Sequence, residues 1–320
     1  MDAPAQAPAP GAAPGACAAQ DRPTPMVVMS TGCLFHLPLP QIAAIARAAG
    51  FAGLDLVMGS PKIAPGAEVE AAHALCPVRV VHAPFRNWSA WGGHLNAWRA
   101  AVDLAGGLAG ENGCGVHVTL HPPAGTLRDA IQTRWFSRAV DLPRLLGVAP
   151  GVSLSLENLP WAGNGASLFS KDDFAELVAE CLNKGLGLTL DVCHLGVSGR
   201  DLLVDLGKVP NGLLRHVHFS DAQGYTEHLP PGQGALPLGP FLARLGQTGY
   251  GGSSFQGTVS LELDPSQLPD VQAQEGEADV VRVLSTLRQG MVAALAGDPP
   301  PEWGGRQQGA RTREPQAASG

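Results

Sequence analysis

The chain has 320 residues, 45% of them hydrophobic, so it can bury a sizeable core in one large domain or two small ones. A net charge of −7 with only four lysines, Lys62, Lys171, Lys184 and Lys208, argues against non-specific binding along nucleic acid, which relies on neutralising phosphates, but leaves a local basic groove open. No apolar run approaches the roughly 20 residues a membrane-spanning helix needs.

Residues 1–25 are Ala/Pro/Gly-rich and nearly uncharged, without the basic start and apolar stretch of a secretion signal. Such a segment cannot bury enough apolar surface to offset its ordering entropy, so a disordered tail is expected, and residues 297–320 give the same expectation. Between the tails, residues 26–296 alternate short β-rich runs with longer helical patterns. Met26–Ser30 is the first predicted strand, followed by a helix over Pro40–Ala49 that Gly50 stops. The next units pair Gly53–Val57 with Ala67–Leu75, Val78–His82 with His94–Gly107, and Val116–His121 with Leu127–Leu146. Then come Val152–Glu157 with Lys171–Leu182, Gly187–Asp191 with a short helix at Asp201–Leu206, Leu214–Phe219 with Pro237–Leu245, and Thr258–Leu263 with Glu277–Leu295. Eight βα units predict a single-domain α/β fold, a (β/α)8 TIM barrel. An open doubly wound sheet would show a glycine-rich turn after its first strand. That turn here, STGCLFHLPLP, holds one glycine.

The six cysteines, Cys17, Cys33, Cys76, Cys114, Cys181 and Cys193, include no CxxC pair, which speaks against a zinc ribbon. Free thiols in a reducing cytoplasm are the simpler reading.

Side chains alternate along a strand with period 2. Counting back from Glu157 reaches Ser155 and Ser153, and from Asp191 it reaches Thr189. His218 shares a face with His216, Glu262 with Ser260, and His121 with Thr119 and His117. The opposite faces carry Leu154, Leu156, Leu188, Leu190, Val217, Phe219, Val259 and Leu261, so the apolar face is expected against the helices and the ionisable one inside the barrel. Buried carboxylates and imidazoles are costly unless paired or bound to metal. His82, His121, His194, His216, His218 and His228 lie at or just beyond strand ends, joined by Glu157, Asp191, Asp221 and Glu262. Mixed imidazole and carboxylate ligands suit Zn2+, Mn2+ or Fe2+. His216, one step below the rim, reads as a hydrogen-bonded support, His117 as packing and Cys193 as a small buried residue. His36, His73 and His94, on loops or helices, carry no signal.

VHAPF, LHPP, LENLP, LDVCH, HVHFSDA, EHLPPGQG and SLEL follow in that order at the strand ends. This set resembles the xylose-isomerase-like TIM-barrel superfamily over about Met26 to Leu295. That superfamily holds sugar isomerases and epimerases and also AP endonucleases of the endonuclease IV type. The resemblance implies a metal core of Glu157, Asp191, His218 and Glu262, with His82, His121, His194 and His228 as additional metal or substrate residues. Thr226 departs from the endonuclease pattern, which has an aspartate there, and His228 departs from epimerases related to tagatose epimerase, which tend to have an arginine. The leading expectation is a metal-dependent sugar or sugar phosphate isomerase or epimerase. Glu157 and Glu262 would move a proton through an enediolate, and a divalent ion, Zn or Mn foremost, would stabilise its charge. The alternative is a metal-dependent phosphoester hydrolase of the AP endonuclease type, the only reading with a nucleic-acid partner. No membrane partner is expected, and an oligomer is compatible with either reading.

Overall fold

The computed structural model describes residues 25–59, 66–86, 88–112, 115–123, 136, 138, 141–160, 174–247 and 255–299. The expected tails, apart from Pro25 and residues 297–299, and the start of the helix expected at Leu127–Leu146 lie outside the described residues.

Eight parallel strands close into a barrel. They are β1 (Met26–Ser30), β2 (Leu54–Val57), β3 (Val78–His82), β4 (Val116–Leu120), β5 (Val152–Glu157), β6 (Gly187–Asp191), β7 (Leu214–Phe219) and β10 (Thr258–Leu261). Going round, the order is β1-β10-β7-β6-β5-β4-β3-β2. Each strand pairs with its sequence neighbour, as right-handed βα crossovers require. An antiparallel hairpin, β8 (Asp221–Gln223) and β9 (Thr226–Leu229), interrupts the series above β7 and was not expected. Its β8 begins two residues after β7 ends, so the local pattern reads as one continuous run.

The helices follow from spacing and punctuation. In the helix at Leu39–Ala48, Ile42, Ala43, Ile45 and Ala46 are the buried residues, which is one face of a 3.6-residue period, and Pro40 sits in the first turn, where its missing N–H costs nothing. Gly50 ends this segment at φ 84°, a left-handed conformation that glycine adopts without strain. The helix Gly276–Ala296 buries Val280, Leu284, Leu287 and Met291 and packs on Leu39–Ala48 and Leu238–Gln247, so these three helices share one layer. A helix at Val192–Val197 precedes the expected one at Leu202–Leu206. The helix starting at His94 continues to Asn112. The described end of the fourth helix is only Leu142–Leu146, because Asp141 caps it through the amide of Arg144.

The outward faces of the strands, including Leu154, Leu156, Leu188, Leu190, Val217 and Phe219, are buried in the hydrophobic layer beneath the helices. A fully buried side chain of this size contributes about 1.5–3 kcal/mol. The barrel interior is instead markedly polar. His117 bonds Ser153 and Ser155 at 2.8 and 2.7 Å, Thr119 bonds Thr189 at 3.1 Å, and Ser155 also meets Thr189. These groups satisfy one another, which is the condition for keeping polar atoms in a core. The apolar-out, polar-in alternation expected from the sequence is the one observed.

The register repeats with half the barrel. Leu54, Asp55 and Val57 of β2 face Val78, Val80 and His82 of β3, with a shift after Leu54. Leu188, Thr189 and Asp191 of β6 face Leu214, His216 and His218 of β7, with the same shift after Leu188. His82 is thus the positional counterpart of His218, and Val57 that of Asp191.

Candidate metal centre

The C-terminal ends of β3 to β7 and β10 converge at one mouth of the barrel. Glu157, the last residue of β5, lies at the centre and is 1% exposed. Its Oε2 faces His82 Nε2 at 3.3 Å and His121 Nε2 at 3.0 Å. Its Oε1 faces His218 Nδ1 at 3.1 Å and His194 Nδ1 at 3.4 Å. His218 Nδ1 also lies 3.4 Å from Glu262 Oε2 and 3.8 Å from Asp191 Oδ2. Seven of the eight predicted residues therefore meet. His228 stands at the edge, its ring 5.9 Å from that of His194 and its Nδ1 3.3 Å from Ser220 Oγ.

Local structure aims each group. Asp191 ends β6 and caps the helix that follows, its Oδ1 accepting from the His194 amide at 2.8 Å, which turns Oδ2 toward the centre. The same helix carries His194 one turn on. Asn158 brackets the Asp191 peptide, donating to its carbonyl at 2.9 Å and accepting from its amide at 2.8 Å, so β5 and β6 are locked at their rims. His194 Nδ1 lies 2.9 Å from the Asn158 carbonyl oxygen, and His82 Nδ1 lies 3.0 Å from the Ala83 carbonyl oxygen. A carbonyl can only accept, so both rings carry a proton on Nδ1. Phe85, from the VHAPF stretch, packs its ring against His82 and His121 at 5.4 and 5.2 Å.

Beneath the rim lies a residue the strand-end reading missed. Asp55, in the middle of β2, is fully buried, and its Oδ2 takes His218 Nε2 at 3.2 Å and His216 Nε2 at 3.3 Å. His216 in turn places Nδ1 2.6 Å from Thr258 Oγ1. The carboxylate accepts from His218 Nε2–H and thereby turns Nδ1 toward Glu157, Glu262 and Asp191. The available signal was an aspartate in an otherwise apolar GLDLV. Asn158 was missed too, although it lies in LENLP.

Asp221, grouped at first with the strand-end carboxylates, belongs elsewhere. It accepts from the amides of Ala222, Gly232, Gly234 and Leu236 at 2.9 to 3.1 Å and so folds the loop behind the hairpin. Four amide donors occupy its oxygens, which leaves it no part in the cluster. Thr226 opens β9 and is exposed. Cys193 is buried, its sulfur accepting from the His228 amide at 3.3 Å, and burial pushes its thiol up, so it rests as a thiol. His94 is buried as well, stacked on Trp88 at 3.7 Å and far from any strand end in sequence.

The electrostatics are those of a crowded carboxylate–imidazole cluster. Burial works against the charged form of Glu157, but His218 and His121 hold its carboxyl well below the usual range. Burial likewise opposes charge on His218, and the Glu157 and Glu262 carboxylates outweigh it, raising His218 well above the ordinary value of 6.5. Burial opposes a charged Asp55 too, and the two imidazole hydrogen bonds keep it low.

Whether these residues suit a metal ion can be judged from their atoms. His218 Nδ1, His121 Nε2, Glu157 Oε2 and Asp191 Oδ2 are buried and have no hydrogen-bond partner, although they converge within 3.0 to 3.8 Å. Convergent buried polar atoms without hydrogen-bond geometry match a cation's needs and would otherwise be costly to bury. Four trios among the described residues have candidate ligand atoms within 4.8 Å of one another: Asp191, His218 and Glu262; Glu157, Asp191 and His194; His82, His121 and Glu157; and, below the rim, Asp55, His216 and His218. The donors fit a divalent ion of the Zn or Mn kind.

Comparison with known proteins agrees with this architecture. The family described as xylose isomerase-like TIM barrel matches residues 43–287. An uncharacterised protein of Methanocaldococcus jannaschii is 31% identical over 115 residues, 35% of this chain and 37% of that protein. A putative hydroxypyruvate isomerase of Streptomyces coelicolor is 31% identical over 162 residues, 41% of this chain and 53% of that protein. The matches thus span less than two thirds of either relative. Among solved structures, an L-ribulose 3-epimerase superposes with a TM-score of 0.60 at 15% identity, over 85% of this chain and 95% of the other. The IOLI protein with a bound zinc atom gives 0.56 at 15% identity, over 84% and 98%. An AP endonuclease, family 2, from Brucella melitensis gives 0.57 at 18% identity, over 80% and 96%. At these identities the structures speak for the fold, and the match over most of the sequence speaks for the family. The chain belongs to the xylose isomerase-like TIM barrel family.

Proposed function

We propose that the protein is a metal-dependent isomerase or epimerase of a small sugar, sugar phosphate or related hydroxy-carbonyl compound. The observation that carries this reading is the pair Glu157 and Glu262 on opposite flanks of β7, with His218 Nδ1 3.1 Å from one and 3.4 Å from the other. Glu157, Asp191, His218 and Glu262 would hold the metal. When bound, the metal supplies positive charge that acidifies the carbon-bound proton next to a carbonyl and offsets the charge of the enediolate. Glu157, kept ionised by its imidazole neighbours, removes the proton from one face of the substrate. Glu262, whose side chain is 20% exposed, reaches the substrate space and returns the proton from the other face. His194, within the cluster, and His228, at its edge, would orient substrate hydroxyls. Two of the similar proteins are named for hydroxypyruvate isomerisation and ribulose 3-epimerisation, and each of those reactions moves a proton at a carbon beside a carbonyl.

One observation favours a second reading. Glu157 directs Oε2 to His82 and His121 while Oε1 faces His218 and His194, so the residues around it could hold more than one divalent ion. Two or more ions side by side are the equipment of phosphoester hydrolysis. Incubation in D2O with manganese or zinc, using hydroxypyruvate and a panel of ketoses, separates the two. The isomerase reading expects deuterium at the reacting carbon and loss of exchange in Glu262→Gln protein, with metal content measured alongside. Cleavage of an abasic-site duplex, abolished by Asp191→Ala, with no exchange on any sugar, would replace the first reading by the second.

A further inference from the structure

The opposite, N-terminal mouth of the barrel holds a cavity of about 470 Å3 lined by none of the metal-centre residues. Among the described residues its charged lining is Arg79 and Arg215, with His117, Ser153, Thr258 and Phe255 among the other walls and no Asp or Glu. Both arginines arrive there by the same device. Between β2 and β3 the register passes from Leu54↔Val78 to Asp55↔Val80, so Arg79 is an extra residue without a partner across the ladder. Between β6 and β7 it passes from Leu188↔Leu214 to Thr189↔His216, so Arg215 is the extra residue. A bulge of this kind re-aims the side chain it carries. Beside each bulge stands a glycine, Gly53 just before β2 or Gly187 at the start of β6, where a Cβ would overlap the arginine stem. The stems therefore lie over bare backbone, and the heads line one cavity. Arg79 Nε is buried there with no hydrogen-bond partner, and no carboxylate among the described residues forms an ion pair with either guanidinium.

We propose that this mouth binds a small multivalent oxyanion, either inorganic phosphate or the phosphate group of a small ester. Guanidinium groups present planar, paired N–H donors that match phosphate oxygens, and two of them in a cavity without acids leave a positive charge to be met. The volume lies within the range of small-ligand pockets, roughly 300–1,000 Å3. Phe255 gives the cavity an apolar wall for the carbon skeleton of an ester. His117 spends both ring nitrogens on Ser153 and Ser155, so the arginines are the recognition groups and the histidine is the floor.

The test is calorimetric titration of the full-length, metal-loaded protein with inorganic phosphate and, separately, with glycerol 1-phosphate. Wild type should take up one equivalent that Arg79→Gln or Arg215→Gln weakens at least tenfold and that the double variant loses, with metal content and melting temperature in phosphate-free buffer unchanged. Tighter binding of the ester identifies a metabolite phosphate, and equal binding identifies the ion itself. Gln256→Glu adds a negative charge at the exposed rim without touching either arginine, and it should weaken the same equivalent. Absence of saturable binding to wild type, or unchanged stoichiometry and affinity in the double variant, overturns the proposal.

Discussion

Asp55 accepts two imidazole N–H groups through one oxygen, and only one of those imidazoles reaches the rim. Its effect on a metal is therefore indirect: it fixes the tautomer and ring angle of His218, and His218 presents Nδ1. Removing such a partner of a ligating histidine commonly lowers metal affinity by about 10–100-fold. Asp55→Asn keeps the shape but offers a weaker acceptor, so we expect a loss within that range, read by competition with a chelating dye, while folding persists. Asp55→Leu removes the acceptor and leaves the N–H groups of His216 and His218 buried without it, which should cost stability as well as metal. Equal metal affinity in wild type and Asp55→Asn would show that the carboxylate does not support His218. At this scale Glu157, Asp191, His218 and Glu262 were legible in the sequence because period-2 counting places them on the inward face of strand ends. Asp55 was not, because it lies in the middle of its strand, where an inward aspartate is recognisable only once its partners on β7 are known. Asn158 was hidden for a similar reason: its partner is a backbone peptide, which sequence does not distinguish.

Among the elements, the barrel strands were nearly all legible, since polar-in, apolar-out alternation and glycine punctuation are local properties. Strand limits moved by a residue or more where the last one leaves the ladder, as at His121, Glu262 and Leu263. The hairpin β8–β9 was not legible, since its strands are too short to alternate and its stability is borrowed. Asp221 provides much of that support, because four amides from Ala222 to Leu236 end on its two oxygens. Gly234 approaches so closely that a Cβ would strike the carboxylate. Hydrogen bonds to a charged acceptor contribute about 1.5–3 kcal/mol each, though those of one group do not add simply. Asp221→Ala should lower unfolding free energy by at least about 2 kcal/mol, measured by urea denaturation. It should also quicken proteolysis at the hairpin tip, where Tyr225 is 93% exposed. His228 sits in β9 at φ 54°, a strained backbone for a non-glycine residue, so the same variant should disturb the rim around His194 more than the cluster around Glu157. Unchanged stability in Asp221→Ala would mean that the loop holds itself.

For the whole molecule, the repeated register divides the site unequally. The four proposed core ligands, Glu157, Asp191, His218 and Glu262, all come from β5 onward. The corresponding places in the first half hold Ser30, Val57, His82 and His121. At the rim the second half thus supplies the carboxylates and the first half only imidazoles, which meet Glu157 from the other side, while the first half's Asp55 lies below. This asymmetry makes the site strongly anionic, and without metal it is held together by protons. His218, His82 and His194 are all raised above the ordinary imidazole value, against burial that opposes their charge, chiefly by Glu157 for the first two and by Asp191 for His194. A group whose pKa is raised by folding stabilises the fold fully below its unfolded value, here 6.5, and loses that contribution as pH rises through the folded value. The metal-free protein should therefore lose stability as pH climbs above about 6.5, when the carboxylates lose their imidazolium partners. Metal binding runs the opposite way, because an ion must displace the proton on His218 Nδ1. While that proton is present, apparent affinity should rise by about tenfold per pH unit for each proton displaced. Zinc titrations of chelator-treated protein at pH 6, 7 and 8 measure the slope, and calorimetric melts with and without zinc measure the stability. The metal-free and zinc-loaded melting curves should move apart as pH rises. An affinity independent of pH over this range would show that no proton leaves when the ion enters, and the carboxylate-held imidazolium of His218 would not be the form that metal replaces.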